Sequence, residues 1–344
     1  HLVLLKSIIV IVSVYRITYI FPFVKSFFKE VIKKDFPPIY KRSVVIREDS
    51  VMERKYSLLK RGGKAAAGGV VLGLALLLSV LGFHGGLLPA NAVPEEGCEL
   101  PIIMYHGLLK EEARQGKYVL SPAQFESDLK YLKENGYHTV VVQDLIDYVE
   151  KGVPLPEKPV MLTFDDGYYN NYYYAFPLLE EYDAKIVISP ICRYTDEYSQ
   201  AEDAHPNYSH ITWDNINEMI DSGRVEIQNH SYNMHSYDGK RVGAKRMKGE
   251  SDLDYEAAFT QDLTRAQERI RQMTGWTPTC FAYPFGAISD GTQTMLKTMG
   301  FQSSMTCESH TNQITRDPEC LFGLGRYLRP GLQSTEAFFQ KIGL

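Results

Sequence analysis

The five cysteines of this 344-residue chain, Cys98, Cys192, Cys280, Cys307 and Cys320, show no Cys-x-x-Cys spacing. That excludes the usual local pattern of a thiolate zinc site. The odd count leaves at least one thiol unpaired within the chain; Cys307 and Cys320 are near enough in sequence to pair. There is no excess of basic charge either. The net charge is −5, so nothing points to nucleic acid as a partner. Residues 100–344 hold no internal repeat and no low-complexity tract. What is present is ordinary for a globular protein, 44% apolar and 23% charged, apart from 23 tyrosines. Tyrosine joins a flat apolar face to a polar tip, a composition that suits extracellular carbohydrate-active proteins as well as plain core and surface use.

The chain begins at His1, and an apolar, aromatic stretch runs from Leu2 to Phe28. Met52 opens a more regular beginning. Met52 to Lys64 is basic, Ala65 to Gly82 is apolar, and Pro89-Ala90-Asn91-Ala92 offers small residues for cleavage, the three-part layout of a secretory signal. Residues 1–51 are then expected to be translated upstream DNA, since Arg47-Glu48-Asp49 can be encoded by a purine-rich run. The alternative is a membrane anchor with two hydrophobic segments. On this reading 52–92 is a signal or signal anchor, 93–99 a linker, and 100–344 the folded domain. The protein is then expected to be secreted or held at the outside of a bacterial envelope, to touch membrane only through its N-terminal segment, and to be a monomer.

Within the folded domain, strand and helix patterns alternate. Pro101–Tyr105, Thr139–Val142, Pro159–Phe164, Ala184–Ser189, Val225–Gln228, Cys280–Tyr283 and Phe301–Thr306 read as strands. Helices are expected over 121–135, to about 150, and over 171–182, 213–222, 254–274 and 290–299. Alternation of this kind predicts an α/β fold, a distorted (β/α) barrel of about seven parallel strands, with function at the carboxyl ends of the strands. The polar stretch from Tyr194 to His210 is expected to be a long loop on that rim.

One strand ends in Leu162-Thr163-Phe164-Asp165-Asp166-Gly167. Alone, Asp-Asp-Gly is an ordinary solvated turn. Two adjacent carboxylates raise each other's pKa unless a cation removes the repulsion. Another strand ends in Asn229-His230-Ser231-Tyr232-Asn233-Met234-His235. Two imidazoles and one carboxylate on one rim make a set that leaves positions open for water and substrate, as a catalytic divalent site requires.

These two segments resemble the first two motifs of the polysaccharide deacetylases (the NodB-like domain, carbohydrate esterase family 4). Phe281-Ala282-Tyr283-Pro284-Phe285-Gly286 looks like the third. Met104-Tyr105-His106 and the run Phe125…Leu132…Gly136-Tyr137 look like the branch acting on poly-N-acetylglucosamine and related wall polymers. The resemblance implies that Asp166, His230 and His235 hold a divalent metal, usually zinc, with cobalt or another ion as alternatives. It implies that Asp165 is the general base, that the Phe285 N–H faces the developing oxyanion, and that Tyr283 and Pro284 border a polysaccharide substrate. The implied reaction is removal of N-acetyl groups from N-acetylglucosamine units. O-acetyl ester removal from xylan and a catalytically impaired glycan-binding module are the alternatives.

Three departures stand out. The family's third motif carries an arginine that orients the base, and the matching position is Ala282; Arg326 is the candidate replacement, with a plain surface arginine as the other reading. The acid–tryptophan fourth motif is not recognisable, and Asp290 is a weak stand-in. The histidine of the fifth motif has no clean match; His310 is the candidate general acid, while His106 is read as a structural histidine facing the same rim.

Overall fold

The computed structural model describes residues 97–201, 203–237 and 241–344. The expected leader, signal and most of the linker lie outside the described residues. The linker's last residues are not loose: Cys98–Leu100 forms β1, antiparallel to β11, Asn312–Ile314. Among the described residues no helix is long and apolar enough to cross a membrane. All five cysteines are free, so Cys307 and Cys320 do not pair.

The chain continues through β2 (Ile102–Tyr105), β3 (Gly107–Leu108), β4 (Val119–Leu120), α1 (Pro122–Glu134), β5 (His138–Val140), α2 (Val142–Lys151) and β6 (Pro159–Asp166). Next come α3 (Leu178–Glu181), β7 (Ile186–Pro190), α4 (Cys192–Ala201), α5 (Trp213–Asp221) and β8 (Val225–Ile227). The last third holds α6 (Asp252–Thr274), β9 (Cys280–Ala282), α7 (Thr292–Thr298), β10 (Ser303–Met305), β11, β12 (Tyr327–Leu328) and α8 (Thr335–Ile342).

The main sheet runs β12-β2-β6-β7-β8, all parallel, and β9 and β10 form a second parallel pair. Single parallel bridges carry the ring onward, Asn229 to Phe281 and Met305 to Leu324. This is the expected distorted barrel with two corrections. The stretch expected as a strand over 139–142 is short, pairs only with the start of β6, and turns into α2 at Val142. The place beside β2 is taken by β12, two residues long and not expected from the sequence.

β6 shows why such a strand reads as an unbroken apolar run: all eight of its residues are buried. Val160, Leu162 and Phe164 face the helices, packed with Phe125, Leu129 and Leu132 of α1. Met161 belongs to the inner cluster with Ile102, Val187, Cys280 and Met305. Side chains alternate across a strand, so Thr163 and Asp165 share the inner face with Met161. Helix starts follow local chemistry. Ser121 and Thr212 cap α1 and α5 with reciprocal boxes to Gln124 and Asn215. The helix expected over 171–182 is broken instead into a π turn, Asn171–Ala175, and α3, with Pro177 between them. Part of the expected rim loop is helix α4.

Candidate active site

The end of β6 separates its two acids. Thr163 and Asp165 lie on the ring's inner face. Asp166, at φ 72°, and Gly167, at φ 70°, then turn through the left-handed region. A Cβ on Gly167 would sit 2.7 Å from the Pro190 Cβ, so close approach as well as conformation selects glycine there.

Asp166 meets the two histidines. Its Oδ1 lies 3.5 Å from His230 Nε2 and 3.2 Å from His235 Nε2, and the three ligand atoms all fall within 4.8 Å of one another. The His230 Nδ1–H donates to the Ala282 carbonyl at 2.7 Å, which leaves Nε2 as the lone-pair nitrogen facing Asp166. The loop between the histidines is built to hold them. Ser231 is at φ 84°, its N–H donates to Asn229 Oδ1, and its Oγ accepts from Met234 N–H. From α6, Asp262 accepts the N–H groups of Tyr232 and Asn233 at 2.8 and 2.9 Å.

The donor set fits a divalent ion. Asp166 Oδ1 is buried and accepts no hydrogen bond. Bonds of about 2.0–2.2 Å to zinc place neighbouring ligand atoms roughly 3.3–3.5 Å apart, comparable with the separations across Asp166. Burial, helped by the neighbouring His230, pushes the His235 imidazole down to about 4, so it is neutral and able to donate a lone pair at neutral pH.

Asp165 has a different partner. Arg326 is fully buried, and its guanidinium donates from both terminal nitrogens to the two Asp165 oxygens at 2.7 Å each. Its Nε–H donates to the Thr306 carbonyl at 2.9 Å. Burial acts to raise the Asp165 carboxyl, but the Arg326 charge and His230 outweigh it and hold the group below the usual carboxylate range.

His106 joins the same group. β2 pairs with β6 so that Tyr105 lies opposite Phe164, and the next residue on each strand is His106 and Asp165. Burial pushes its imidazole down despite the opposing pull of Asp165 and Asp166, and its buried Nδ1 has no hydrogen-bond partner. The local signal was present in Met104-Tyr105-His106 at a strand's end. What could not be read was which strand lay alongside.

Other expected site residues are placed differently. Tyr283 is turned into the apolar cluster of Phe259, Phe281, Leu296 and Phe301, its hydroxyl donating to Thr292 Oγ1. Pro284 is buried against Gly243. Neither offers a surface to substrate, because alternation from β9 puts Tyr283, like Phe281, on the helix-facing side of the barrel, packed against Phe259 and Leu296. His310 is exposed, its ring seated on Gly325, and no hydrogen bond joins it to either aspartate. Phe285, at φ 59°, does lie beside the cluster, its ring 4.3 Å from that of His235 and 4.2 Å from that of Tyr237.

Fold and site together define a parallel α/β barrel whose carboxyl rim carries an Asp-His-His cluster that could hold a metal ion, next to an arginine-held carboxylate. The model of the polysaccharide deacetylase family matches residues 152–304. A poly-β-1,6-N-acetyl-D-glucosamine N-deacetylase of Escherichia coli K12 is 25% identical over 240 residues, 64% of this chain and 36% of its own length. The Staphylococcus aureus MRSA252 protein of the same name is 27% identical over 191 residues, 56% of this chain and 62% of its own. Among solved structures, a de-N-acetylase from Aggregatibacter actinomycetemcomitans superposes with a TM-score of 0.61 at 27% identity, covering 71% of this chain and 99% of that one. IcaB from Ammonifex degensii gives 0.55 at 28% identity, covering 68% and 93%. Over residues 152–304 the chain is similar to the polysaccharide deacetylase family, and its likeness to the E. coli and A. actinomycetemcomitans proteins extends over 64% and 71% of its length. The chain spans about a third of the length of the E. coli relative and under two thirds of the S. aureus one.

Proposed function

We propose that this chain is a secreted or envelope-held hydrolase that uses a divalent metal to remove N-acetyl groups from N-acetylglucosamine units of an extracellular polysaccharide. The observation that carries the proposal is the division of labour between adjacent acids, Asp166 toward the two histidines and Asp165 toward Arg326. The names of the E. coli and S. aureus relatives support the substrate class.

Asp166, His230 and His235 would hold the ion, with zinc the first choice for two imidazoles and a carboxylate. The ion supplies a Lewis acid for the acetyl carbonyl and makes water a competent nucleophile near neutral pH. Asp165 takes the proton as the water oxygen bonds to the carbonyl carbon. Arg326 keeps that carboxylate ionised and fixes its plane with two parallel hydrogen bonds. The backbone N–H of Phe285, whose ring lies beside His235, would steady the carbonyl oxygen as its negative charge grows. The C–N bond then breaks, acetate departs, and the sugar nitrogen needs a proton. Burial holds the His106 imidazole low, so we assign it to passing on to the nitrogen the proton that Asp165 has taken, in place of His310, because it stands next to Asp165 while His310 lies at the surface.

The test is acetate release from poly-N-acetylglucosamine oligomers, peptidoglycan and acetyl-xylan, before and after chelation and re-addition of zinc or cobalt. Release from the first two, abolished by chelator and by His230→Ala and strongly reduced in Asp165→Asn, is the expected result. Release from acetyl-xylan alone would make the chain an O-acetyl esterase. Unchanged release in Asp165→Asn would remove the proposed base.

A further inference from the structure

The stretch from Tyr194 to His210 has no part in the chemistry above, yet its end reaches the metal set from behind. Residues 209–211 run antiparallel to 167–169: Tyr169 N–H donates to the Ser209 carbonyl at 2.8 Å, Ile211 N–H donates to the Gly167 carbonyl at 2.9 Å, and Tyr168 and His210 bridge. This places His210, only 9% exposed, so that its Nδ1 lies 3.1 Å from the Asp166 carbonyl oxygen. A carbonyl can only accept, so Nδ1 carries the proton. The ring is held by aromatic neighbours, with centroids 4.6 Å from Tyr194, 4.9 Å from Tyr168 and 5.6 Å from Tyr198. The Ile191 N–H also donates to the same carbonyl, but at 3.3 Å.

Asp166 is a non-glycine residue at φ 72°. That conformation costs on the order of 1 kcal/mol or more and persists only where surrounding contacts demand it. The peptide that follows Asp166 is the one His210 grips. We infer that His210 is a positioning residue for the metal carboxylate: by donating to the Asp166 carbonyl from inside its tyrosine box, it holds the left-handed turn that aims Oδ1 at His230 and His235. The segment before it then acts as a brace for the metal set. This rests on the metal role proposed for Asp166.

Two substitutions separate the donor from the ring. His210→Phe keeps a flat ring in the box and removes the N–H. His210→Asn gives up the ring but places an amide nitrogen where Nδ1 stood. Zinc affinity is read by competition with a chromophoric chelator, cobalt coordination by its visible absorption, and folding by the melting midpoint of metal-free protein. Loss of such an outer partner weakens a metal site roughly 10- to 100-fold, so His210→Phe is expected to lose that much zinc affinity and to alter the cobalt spectrum while melting near wild type. His210→Asn recovers most of the affinity. Wild-type affinity in His210→Phe overturns the inference, as does an equal loss in both variants accompanied by an equal drop in melting midpoint. A wild-type protein that binds neither ion strikes at the metal reading itself, so the two failures are told apart.

Discussion

Replacing Arg326 by leucine tests the heart of the site. The guanidinium is fully buried and makes two 2.7 Å bonds to a carboxylate that is itself 2% exposed. Removing one partner of such a pair leaves an uncompensated buried charge, a loss of about 3–5 kcal/mol. Asp165 can escape that loss only by taking up a proton. In the wild type, Arg326 and His230 overcome burial and hold the carboxyl low, so the group's contribution to stability is present above the ordinary carboxylate range and fades as pH falls through its lowered pKa. In Arg326→Leu, burial is opposed far less and the pKa moves up. The variant should therefore be most destabilised near pH 8 and recover part of the deficit as the solution is acidified through the raised pKa. Activity should follow the same group. The acid limb of the pH–rate profile moves toward neutrality, and acetate release at pH 7 falls roughly 10²- to 10⁴-fold, the range for loss of a general base. Melting midpoints and acetate release measured from pH 4.5 to 8.5 read both effects. An Arg326→Leu protein with a wild-type acid limb would refute the pairing as the cause of the ionised base.

His106→Gln should lower kcat for acetate release by roughly 10²- to 10⁴-fold with little change in KM, while zinc affinity measured by chelator competition stays at the wild-type value; a purely structural His106 would leave kcat near wild type once the protein is folded. Glu226 bears on pH dependence. Burial pushes its carboxyl up to about 7, although it accepts the Val142 and Gln143 N–H groups at the start of α2 and the Gln228 amide. A raised folded-state pKa means the native protein binds this proton more tightly than the unfolded chain, so this part of stability is full below about 4.5 and declines as pH rises through about 7. Glu226→Gln should flatten the melting midpoint between pH 5 and 8, and an unchanged slope would assign it to another group. Asp128 accepts from Arg329, Thr335 and Tyr105 with no exposure to solvent, so Asp128→Ala should cost about 3–5 kcal/mol in denaturant unfolding while metal affinity stays intact.

The legible parts of the site were those whose chemistry is compressed into a few residues. Asp165 and Asp166 end an apolar strand, His230 and His235 lie in the loop that leaves another, and the helix starts at Ser121 and Thr212 are local side-chain events. Misreadings came where the deciding contact is remote. The two-residue β12 sits in a glycine- and proline-bounded stretch with no periodicity to announce it. His310 looked plausible because it follows a rim strand, but its own loop carries the ring onto Gly325. Tyr283 looked like a groove residue because it adjoins the third motif. Phe281 in β9 and Tyr283 just after it instead share the helix-facing side, and the Thr292 hydroxyl satisfies the tyrosine's oxygen.

By itself, then, the sequence determined the alternation of strand and helix, the residue types of the Asp-His-His cluster, and the setting of two carboxylates side by side at a strand's end, because each is carried by neighbours along the chain. Tertiary structure decided which groups serve them. Arg326 is 161 residues from Asp165, and its arrival depends on β12 lying against β2, and β2 against β6. His106 reaches the same carboxylate through that same strand order. Strand order in a parallel barrel arises from burying both faces of each strand at once, a condition on the whole ring that no local stretch of sequence records.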